Sequence, residues 1–352
     1  MSTYKEIADR ANVSIGTVYR VAHNRGRVAK ATEDRVRKAI EDLGYERNIF
    51  ASNLSRQKCY RFGILMPRTH FDSGYWQAPY RGAMHAGAEL KKYRVEIEEF
   101  LYDETSSRSF EYFARKAASA DLDGLLVAVV VAVKNGSIAD RLPADVPRVY
   151  FDSYIDDPDA VAFVGQDSYS SGRLAAHLMA MTLPEPASVI ALRTFHGDPN
   201  SSSWTHHIED RVRGFTDYTS AVERFKVIES GVDTADGVKA FAHALEAAFE
   251  RNQDISGVFV SNSETHSAVD ALESLNPQLC GQVHFIGYDL VEASTVYLER
   301  GKIDFLLCQR PFEQGYRGIH LLHRHVVLKE SCPGSVILPT DIVTRENLSD
   351  HA

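Results

Sequence analysis

Four polar residues stand directly after segments that have the composition of buried β-strands: Asp152, Arg211, Asn262 and Asp289. Carboxylate, guanidinium and amide groups can each bind two neighbouring hydroxyls, which gives orientation as well as affinity. For any single one of these residues, a helix cap or a surface ion pair is an equally good interpretation. Taken as a set, they favour contact with a small polyhydroxylated ligand.

The loop after the first predicted strand, residues 66–77, brings aromatic and polar side chains together ahead of a helix. Phe71, Tyr75 and Trp76 belong to it. An aromatic ring can stack on the apolar face of a pyranose while polar neighbours bind its hydroxyls. Packing between subdomains or a dimer contact would also explain Tyr75 and Trp76, and both interpretations stay open.

Two histidine groups could also do chemistry. His320 and His323, followed by His325, have a spacing that could chelate a metal on a helix face, but no third ligand stands at useful spacing, so a polar outer face or a dimer surface is predicted. His206 and His207 lie near Trp204 in a serine-rich loop, and solvation is favoured over a place in a cleft. The phosphate-loop, dinucleotide and nucleophile-elbow motifs are absent from the sequence, so we expect no catalytic residue, cofactor or metal.

Short β-rich apolar runs alternate with amphipathic segments from Tyr60 onward. This alternation predicts an α/β core of parallel strands covered by helices, either as one large sheet or as two subdomains. Ligands of such sheets lie at the carboxyl ends of the strands, so two facing sheets would form a cleft. The predicted strands are Arg61–Met66, Val95–Tyr102, Gly124–Val133, Val146–Phe151, Val161–Val164, Ser188–Leu192, Lys226–Ser230, Gly257–Val260 and Val283–Tyr288. The predicted helices are Gly82–Lys92, Ser109–Ala120, Ser170–Leu183, Ile208–Ala221, Asp236–Arg251 and Ser263–Leu275.

Length and charge indicate a small basic module joined to a larger acidic one. The 352 residues allow about two to three domains. The net charge is −9, yet residues 1–60 hold 12 Lys/Arg against 7 Asp/Glu, a local charge of +5, which leaves −14 for the rest. The four cysteines are far apart and suggest neither zinc nor disulfides, and no signal-peptide core or apolar run of 18 residues occurs, so we expect a cytoplasmic protein that does not enter a membrane.

The basic module has the pattern of a helix-turn-helix. Thr3 and Glu6 form a capping box for a helix of about residues 4–11. Asn12 tolerates a left-handed turn, Val13 can fill the small core, and Ser14 can cap a second helix that runs through His23. A third helix of roughly residues 31–43 ends at Gly44. The second helix would turn Val18 and Val21 inward and leave an outer surface that meets DNA, formed by Ile15, Gly16, Thr17, Tyr19 and Arg20.

These residues resemble the N-terminal domain of the lactose-repressor (LacI/GalR) family. The resemblance covers about 55 residues and rests on Tyr4–Ala8, Asn12–Val21 and Leu43-Gly44-Tyr45 followed by Asn48. It implies an all-α helix-turn-helix head with a hinge helix, followed by an α/β core of two subdomains like the type I periplasmic binding proteins. The implied boundaries are 1–47 for the head, 48–58 for the hinge and 59–345 for the core. Within the core, the first subdomain would hold 60–164 and 305–334, and the second 165–304 and 335–345.

The resemblance also implies the partners and the residues that meet them. The protein would be a transcriptional regulator, most simply a repressor, that binds a palindromic operator as a homodimer and responds to a small molecule, most simply a sugar. Leu54 would be the wedge in the minor groove, although it could also be a core residue of a linker helix. Asp152, Arg211, Asn262 and Asp289 match ligand-contacting positions of the family, and Gln309 matches one more weakly. The full DNA-contacting set comprises Thr3, Ser14, Ile15, Gly16, Thr17, Tyr19, Arg20, Asn24, Arg27, Asn48, Ala51 and Leu54.

The sequence departs from the family pattern at three positions, and two other functions are possible for a protein of this fold. Arg47 and Ala29 replace a usual proline and serine, so one turn lacks its fixed backbone angle and the third helix lacks a side-chain cap, and Gly16 puts no side chain at a usual base-reading position. A stand-alone solute-binding protein would need an export signal and no DNA-binding head. A sugar-modifying enzyme on a similar fold would reveal itself by turnover.

Overall fold

The computed structural model describes residues 4–22, 26, 28–43, 58–69, 74–131, 137–195, 206–222, 224–252 and 254–351. The chain divides into two compact units, Met1–Lys58 and Cys59–Ala352. Several predicted features lie outside the described residues: the helix end at Gly44, the hinge of residues 48–57, Arg47, and the site candidates Thr3, Asn24, Arg27, Asn48, Ala51, Leu54 and Phe71.

The described residues of the first unit form three short helices around a small apolar core. Ile7, Val18 and Val36 are fully buried in it, and Val13 packs against it as predicted. Asn12 takes the left-handed backbone conformation, with φ 51°, so the chain turns sharply between the first two helices. The helices are α1 Tyr4–Ala11, α2 Ile15–Ala22 and α3 Lys30–Asp42.

The two helix starts differ as the sequence predicted. Ser14 Oγ accepts a hydrogen bond from the Thr17 backbone N–H at 3.2 Å, which is the expected N-terminal cap of α2. Ala29 stands at the same position of α3 and provides no side-chain cap. The third helix therefore begins without the hydrogen bond that a serine would supply.

The described residues of the second unit form two six-stranded sheets, which confirms two subdomains over one large sheet. The first sheet has the strand order β11-β5-β4-β3-β1-β2 and the second β12-β10-β9-β8-β6-β7. All pairings are parallel except that of β10 with β12. The strands are β1 Tyr60–Pro67, β2 Val95–Tyr102, β3 Gly124–Val127, β4 Arg148–Phe151, β5 Ala160–Gly165, β6 Ser188–Phe195, β7 Lys226–Asp233, β8 Ile255–Val260, β9 His284–Tyr288, β10 Phe305–Cys308, β11 Ser335–Ile337 and β12 Asp341–Val343.

Helices cover both faces of each sheet, so each subdomain has two apolar layers. On the first sheet, α4 and α11 share one face and α5 covers the other. On the second sheet, α6 and α7 share one face, and α8 to α10 cover the other. The helices are α4 Gln77–Leu90, α5 Ser107–Ser119, α6 Ser168–Thr182, α7 His206–Val222, α8 Val238–Arg251, α9 Thr265–Leu275, α10 Glu292–Glu299 and α11 Pro311–Val326.

The predicted division of the core between its subdomains was wrong at two places. Residues 305–308 form β10, which pairs in parallel with β9 of the second sheet, whereas the prediction assigned them to the first subdomain. Residues 335–337 form β11 on the edge of the first sheet, beside β5, whereas the prediction assigned them to the second. The chain therefore crosses between the subdomains after β5, β10 and β11, one element later than expected in the last two cases.

The three crossing segments contact one another. Leu338 N–H donates to the Gly165 carbonyl at 2.7 Å. Arg310, in the left-handed conformation with φ 55°, donates from Nε and Nη2 to both carboxylate oxygens of Asp341 at 2.8 Å. A bidentate pair of this kind fixes direction as well as distance, so the second and third segments are oriented together.

Three smaller predictions were also wrong. The apolar run from Gly124 was expected to continue as a strand to Val133, but β3 ends at Val127, where its partner β4 also ends, at Phe151. The helix expected from Gly82 begins at Gln77, because Pro79 is compatible with a first helical turn. The predicted ranges also did not include α10, α11, β10, β11 or β12.

Candidate functional site

A cavity of about 330 Å³ lies where the carboxyl ends of the two sheets meet. Its volume is within the range of ~300–1,000 Å³ that is typical of small-molecule sites. Phe71 lies outside the described residues, and the structure brings the other seven predicted ligand-binding residues together around this cavity: Tyr75, Trp76, Asp152, Arg211, Asn262, Asp289 and Gln309.

Asp152 follows β4 of the first sheet. Its backbone has φ 65°, and its N–H donates to the Val164 carbonyl of β5 at 3.1 Å. Tyr75 OH donates to Oδ1 at 2.6 Å, and Ser153 Oγ donates to Oδ2 at 3.1 Å. Both carboxylate oxygens thus have a donor from the same subdomain, and the left-handed backbone sets the side chain at the strand end.

Asp289 follows β9 of the second sheet in the same manner. Its φ is 62°, and its N–H donates to the Leu307 carbonyl of β10 at 3.0 Å. Gln309 Nε2 donates to Oδ2 at 2.9 Å, whereas the buried Oδ1 has no hydrogen-bond partner among the described residues. Burial raises the pKa of Asp289 to about 6, with the nearby Asp152 acting in the same direction and Arg211 opposing it.

Arg211 is the buried cation of the cavity and is only 2% exposed. Its Nη1 donates to the Ser261 carbonyl at 2.8 Å, and its guanidinium carbon lies 3.8 Å from the centre of the Tyr288 ring. The Gln166 amide, oriented with its oxygen toward Arg211, accepts from Nε at 3.1 Å and from Nη2. These contacts fix the guanidinium plane beside Asp289.

The backbone of Arg211 is positioned by close packing of α6 and α7. A Cβ atom at Gly172 of α6 would lie 1.9 Å from the Arg211 carbonyl oxygen, and one at Gly214 of α7 would lie 2.1 Å from the Tyr169 carbonyl oxygen. Two facing glycines therefore allow a helix separation that no other residue pair permits. The Arg211 side chain reaches the cavity from this crossing point.

Tyr75 and Trp76 belong both to the apolar core of the first subdomain and to the cavity wall. Their rings meet edge to face at 5.0 Å, and Trp76 also contacts the Phe151 ring at 6.3 Å. The Trp76 indole N–H donates to Glu104 Oε2 at 2.8 Å. The two interpretations, packing within the subdomain and contact with a ligand, are therefore compatible. The aromatic pair packs against the core on one side and lines the cavity on the other.

Asn262 and Gln309 also make local hydrogen bonds. Asn262 Oδ1 accepts from the Glu264 N–H at 3.1 Å, in a turn that precedes α9. Gln309 lies on the crossing segment after β10, and its carbonyl accepts from Gln314 Nε2 at 3.0 Å. Asn262 and Gln309 thus line the cavity, and their hydrogen bonds also stabilise the local conformation of the chain beside it.

His207 is a cavity residue that the sequence prediction missed. Its Nδ1 lies 3.1 Å from Ser153 Oγ across the two subdomains, and burial lowers its pKa to about 4, so it is neutral at pH 7. The prediction favoured solvation for both His206 and His207, and only His206 is exposed. A helical spacing of four residues between His207 and Arg211 was the available signal. Glu104, Thr194, Thr234 and Glu264 line the cavity as well and were also missed.

Ser153, His207 and Asp152 are adjacent but differ from a hydrolytic triad. In such a triad the carboxylate accepts a hydrogen bond from the histidine, which in turn contacts the nucleophile. Here the Asp152 carboxylate accepts from Ser153 itself, and among the described residues it has no hydrogen bond to His207. The group forms a hydrogen-bonded link across the cavity.

The prediction of a polar outer face for the group His320, His323 and His325 was wrong for His323. This side chain is 6% exposed and packs on the Tyr93 ring at 5.0 Å, and burial lowers its pKa to about 4. His320 lies at the surface beside Glu89, with Nε2 and Oε2 3.3 Å apart. The two histidines are one turn apart on α11, and their different burial follows from their neighbours, Glu89 at the surface for His320 and the Tyr93 ring for His323.

The candidate DNA surface is the outer face of α2. Val18 and Val21 are buried as predicted, while Ser14, Gly16 and Arg20 are exposed and Thr17 is partly exposed. Ile15 and Tyr19 are 51% and 39% exposed, so two large apolar side chains lie one turn apart on this outer face. Arg20 Nε donates to the Gly16 carbonyl at 3.2 Å, so the arginine side chain folds back along α2. Only Ser14 Oγ lies within 4 Å of a Cβ built at Gly16, so this position is open.

A helix-turn-helix unit and a two-sheet α/β core with a polar cleft define a ligand-binding transcriptional regulator. The model for the periplasmic binding protein domain matches residues 62–330, and the model for bacterial regulatory proteins of the lacI family matches residues 3–48. The chain belongs to the periplasmic-binding-protein domain family and carries the lacI-family DNA-binding domain at its N-terminal end. The predicted fold class and family resemblance are confirmed.

Similar proteins agree with this assignment. The chain is 40% identical over 76 residues to the HTH-type transcriptional regulator AscG of Escherichia coli, a match that covers 22% of this chain and 23% of AscG. It is 22% identical to a ribose operon repressor of Halalkalibacterium halodurans, over 98% of this chain and 97% of that protein. A crystal structure of a LacI transcriptional regulator from Bacteroides fragilis covers 83% of this chain and 99% of its own, with TM-score 0.72 and 24% identity. None of the described helices is long and apolar enough to cross a membrane.

Proposed function

We propose that this protein is a transcriptional repressor whose affinity for a palindromic operator is controlled by a small polyhydroxylated molecule, most simply a sugar. The observation that carries the proposal is the cavity, where carboxylates from both sheets, a buried arginine and a tryptophan converge on a space of about 330 Å³. The name of the ribose operon repressor, which is similar over nearly the whole chain, supports the sugar.

The DNA-binding step uses the exposed face of α2. Ile15 and Tyr19 meet base edges or sugar carbons in the major groove, and Arg20 and Thr17 meet phosphates or bases. Two copies of the chain are needed for a palindromic site, because one α2 reads one half-site. Residues 48–57, which include Leu54, link this unit to the core and complete the contact with DNA.

Control by the ligand follows from its position between the subdomains. A molecule that bridges Asp152 of the first and Asp289 of the second stabilises one angle between the sheets. A preference for the angle that does not fit the operator weakens DNA binding by a coupling free energy of about 1–3 kcal/mol, which corresponds to about 5- to 150-fold. Release from DNA by ligand is the simplest form, and ligand-enhanced binding uses the same parts.

Selection of duplexes from a random library by the full-length chain, followed by fluorescence anisotropy at fixed salt, tests the DNA half. We expect an enriched palindrome, and we expect Tyr19→Ala to weaken binding to it by about 1–3 kcal/mol. Tyr112→Ala is the matched control, because Tyr112 is a 57% exposed tyrosine of the core. Equal affinity for the enriched and a scrambled duplex would contradict the proposal.

Thermal unfolding against a panel of sugars tests the sensing half, because a ligand of the native state raises its melting temperature. Each hit is then added to the operator complex, and a turnover assay on the same sugars tests the enzyme alternative. We expect at least one compound to stabilise the chain and to shift operator affinity without being converted. Conversion of a sugar without operator binding would favour the enzyme.

A further inference from the structure

Gln166 and Gln309 occupy equivalent positions in the two subdomains. Gln166 lies on the crossing segment between β5 and α6, and Gln309 lies on the one between β10 and α11, each two residues before its helix begins. In both sheets, the strand that precedes the glutamine accepts the backbone N–H of the cavity aspartate, Asp152 on β5 and Asp289 on β10. Both glutamines are buried, with 5% and 3% exposure. The same place in each half thus holds a buried amide beside the cavity.

Gln166 connects the cavity cation with two of the crossing segments. Its amide oxygen accepts from Arg211 Nε at 3.1 Å and from Nη2, and its amide nitrogen donates to Thr340 Oγ1 on the third segment at 3.2 Å. Together with the bond to the Ser261 carbonyl, these contacts use three of the five N–H donors of the guanidinium. A ligand and Gln166 can therefore bind Arg211 at the same time.

Gln309 makes the corresponding connection to the cavity anion. Its Nε2 donates to Asp289 Oδ2 at 2.9 Å, and its backbone carbonyl accepts from Gln314 Nε2 at 3.0 Å. Gln314 is fully buried near the start of α11, a helix that packs on the first sheet. Asp289 of the second subdomain is thus connected, through the second crossing segment, to a helix of the first subdomain.

The crossing segments are also joined to one another, by the Leu338–Gly165 hydrogen bond and the bidentate Arg310–Asp341 pair. A change in the angle between two subdomains is absorbed by backbone rotations at a few connecting positions, and here those positions are the crossing segments. Because the segments are joined, such rotations move both glutamines together. The amides then lose their alignment with the two cavity ions, which are held on α7 and at the end of β9.

We infer that Gln166 and Gln309 are positioning residues that set the angle between the subdomains by holding Arg211 and Asp289 to the crossing segments. A ligand that binds the two ions reorients the groups that the glutamines contact, so occupation of the cavity changes the angle through these two amides. This second step rests on the proposed function and specifies how its cavity is regulated. The effect of the glutamines on the angle is a property of the ligand-free chain as well.

Distances between two spin labels, measured by pulsed electron paramagnetic resonance, test the effect on the angle without any ligand. Labels are attached at Tyr112→Cys on α5 of the first subdomain and at Glu246→Cys on α8 of the second, because both positions are exposed. Cys59→Ser and Cys332→Ser remove the two native thiols that are not fully buried. Dilution of the full-length labelled protein with unlabelled chain confines the measured distance to one copy.

Substitution of each glutamine should change this distance. Gln166→Met and Gln309→Met keep the length of the side chain but remove the amide, so we expect each to broaden the distance distribution or to shift its maximum by several ångströms. Gln282→Met, at an exposed position of the second subdomain, is the matched control and should give the distribution of the parent protein. Gln166→Glu keeps an acceptor for Arg211, so it should preserve a narrower distribution than Gln166→Met.

Titration with D-ribose, D-glucose, D-galactose and sucrose tests the transmission to DNA. Operator affinity is measured with and without each sugar that stabilises the wild type, and the affinity for that sugar is measured by calorimetry. The ratio of operator affinities, about 5- to 150-fold for a coupling of this kind, should fall several-fold or more in both methionine variants. The affinity for the sugar itself should change less. A variant with a purely structural defect has a lower melting temperature and keeps the ratio.

The outcomes separate this inference from the proposed function. An unchanged distance distribution in both folded methionine variants overturns the inference, and so does equal broadening in the Gln282→Met control. A distribution as broad in Gln166→Glu as in Gln166→Met shows that the contact with Arg211 does not set the angle, and overturns that link. If no sugar binds, or none alters operator affinity, the sensing half of the proposed function fails, and the distances still decide the role of the two glutamines.

Discussion

The two subdomains of the core resemble each other in topology but differ in how they hold their carboxylates. Each sheet has six strands in the same winding order, and each ends a central strand with an aspartate in the left-handed conformation, Asp152 at φ 65° and Asp289 at φ 62°. Asp152 has donors on both oxygens, whereas Asp289 has one donor on Oδ2 and an open Oδ1.

This difference indicates a division of roles between the two halves. The first half supplies a preorganised carboxylate and the aromatic wall, so its site is complete before a ligand enters. The second half supplies a buried carboxylate that Arg211 and Gln309 compensate only in part, so its site becomes satisfied when a ligand arrives. Ligand binding thus stabilises the second half more than the first. This difference in stabilisation can drive a change in the angle between the sheets.

Of the substitutions that test this difference between the two halves, removal of Arg211 is expected to have the largest effect on stability. Arg211→Met leaves Asp289 buried without its cation and the Ser261 carbonyl without its donor, so we expect the free energy of unfolding to fall by about 3–5 kcal/mol. Urea unfolding followed by circular dichroism measures this loss. Arg213→Met on the same helix is the control, because that side chain is 63% exposed and is expected to change stability by less than about 0.5 kcal/mol.

The double variant Arg211→Met/Asp289→Asn separates charge from packing. If the uncompensated carboxylate causes the loss, the second substitution should recover about 1 kcal/mol or more of it. An additive double variant would mean that Arg211 stabilises the core by packing on Tyr288 alone, and the account of Asp289 as an underpaired charge would be wrong.

The two aspartates should respond in opposite ways to the same substitution. Asp289→Asn removes a charge that the apo protein holds at a cost, so we expect unchanged or higher stability and effector affinity lower by about 1.5–3 kcal/mol, or roughly 10- to 150-fold. Asp152→Asn weakens the charged acceptor of the buried Tyr75 hydroxyl, so we expect a stability loss of about 1–3 kcal/mol. Parallel unfolding and calorimetry of both variants measure the contrast, and identical stability changes would contradict it.

The sequence predicted the elements better than their assembly. Nine of the strands were located from their composition, because the apolar runs of central strands such as β1, β3 and β4 are buried on both faces of a parallel sheet. The edge strands β2 and β7 are partly exposed and have a more polar composition. The assignment of Phe305–Cys308 to the wrong sheet has a physical reason. Which neighbour a strand pairs with depends on contacts between residues that are distant in sequence. The composition of a four-residue strand does not indicate which strand it pairs with.

The same limit applies to the site. The positions of Asp152 and Asp289 could be predicted because both directly follow strands. Arg211 was predicted to follow a strand but lies in α7, so only the family pattern located it correctly. The spacing of four residues between His207 and Arg211 could have placed His207 beside the cavity, but its contact with Ser153 of the other subdomain, 54 residues away, could not be predicted. The open oxygen of Asp289 was also beyond prediction, because it follows from which of two oxygens Gln309 contacts.

The pH dependence of stability gives a further test of the second half. Burial raises the pKa of Asp289 from 3.8 to about 6, so the native protein keeps this proton at pH 4 to 6 where the unfolded chain has released it. Its contribution to the free energy of unfolding is therefore present below about pH 4 and is lost as pH rises through about 6, by on the order of 2 kcal/mol. The difference between wild type and Asp289→Asn, measured by urea unfolding from pH 4 to 8, isolates this group from the others. A difference that stays flat over this range would show that Asp289 is not underpaired.

The smallest expected effect concerns the aromatic wall of the first half. Trp76→Phe keeps a ring over the cavity but removes the indole N–H that donates to Glu104 at 2.8 Å. We expect effector affinity to fall by about 0.5–1.5 kcal/mol, roughly two- to tenfold, with a smaller change in stability, because Glu104 can be solvated once the donor is gone. Trp76→Leu removes the ring as well and should weaken the effector further. If both variants lost stability in proportion and left affinity unchanged, Trp76 would serve packing alone, and the ligand's apolar face would have to lie on another side of the cavity.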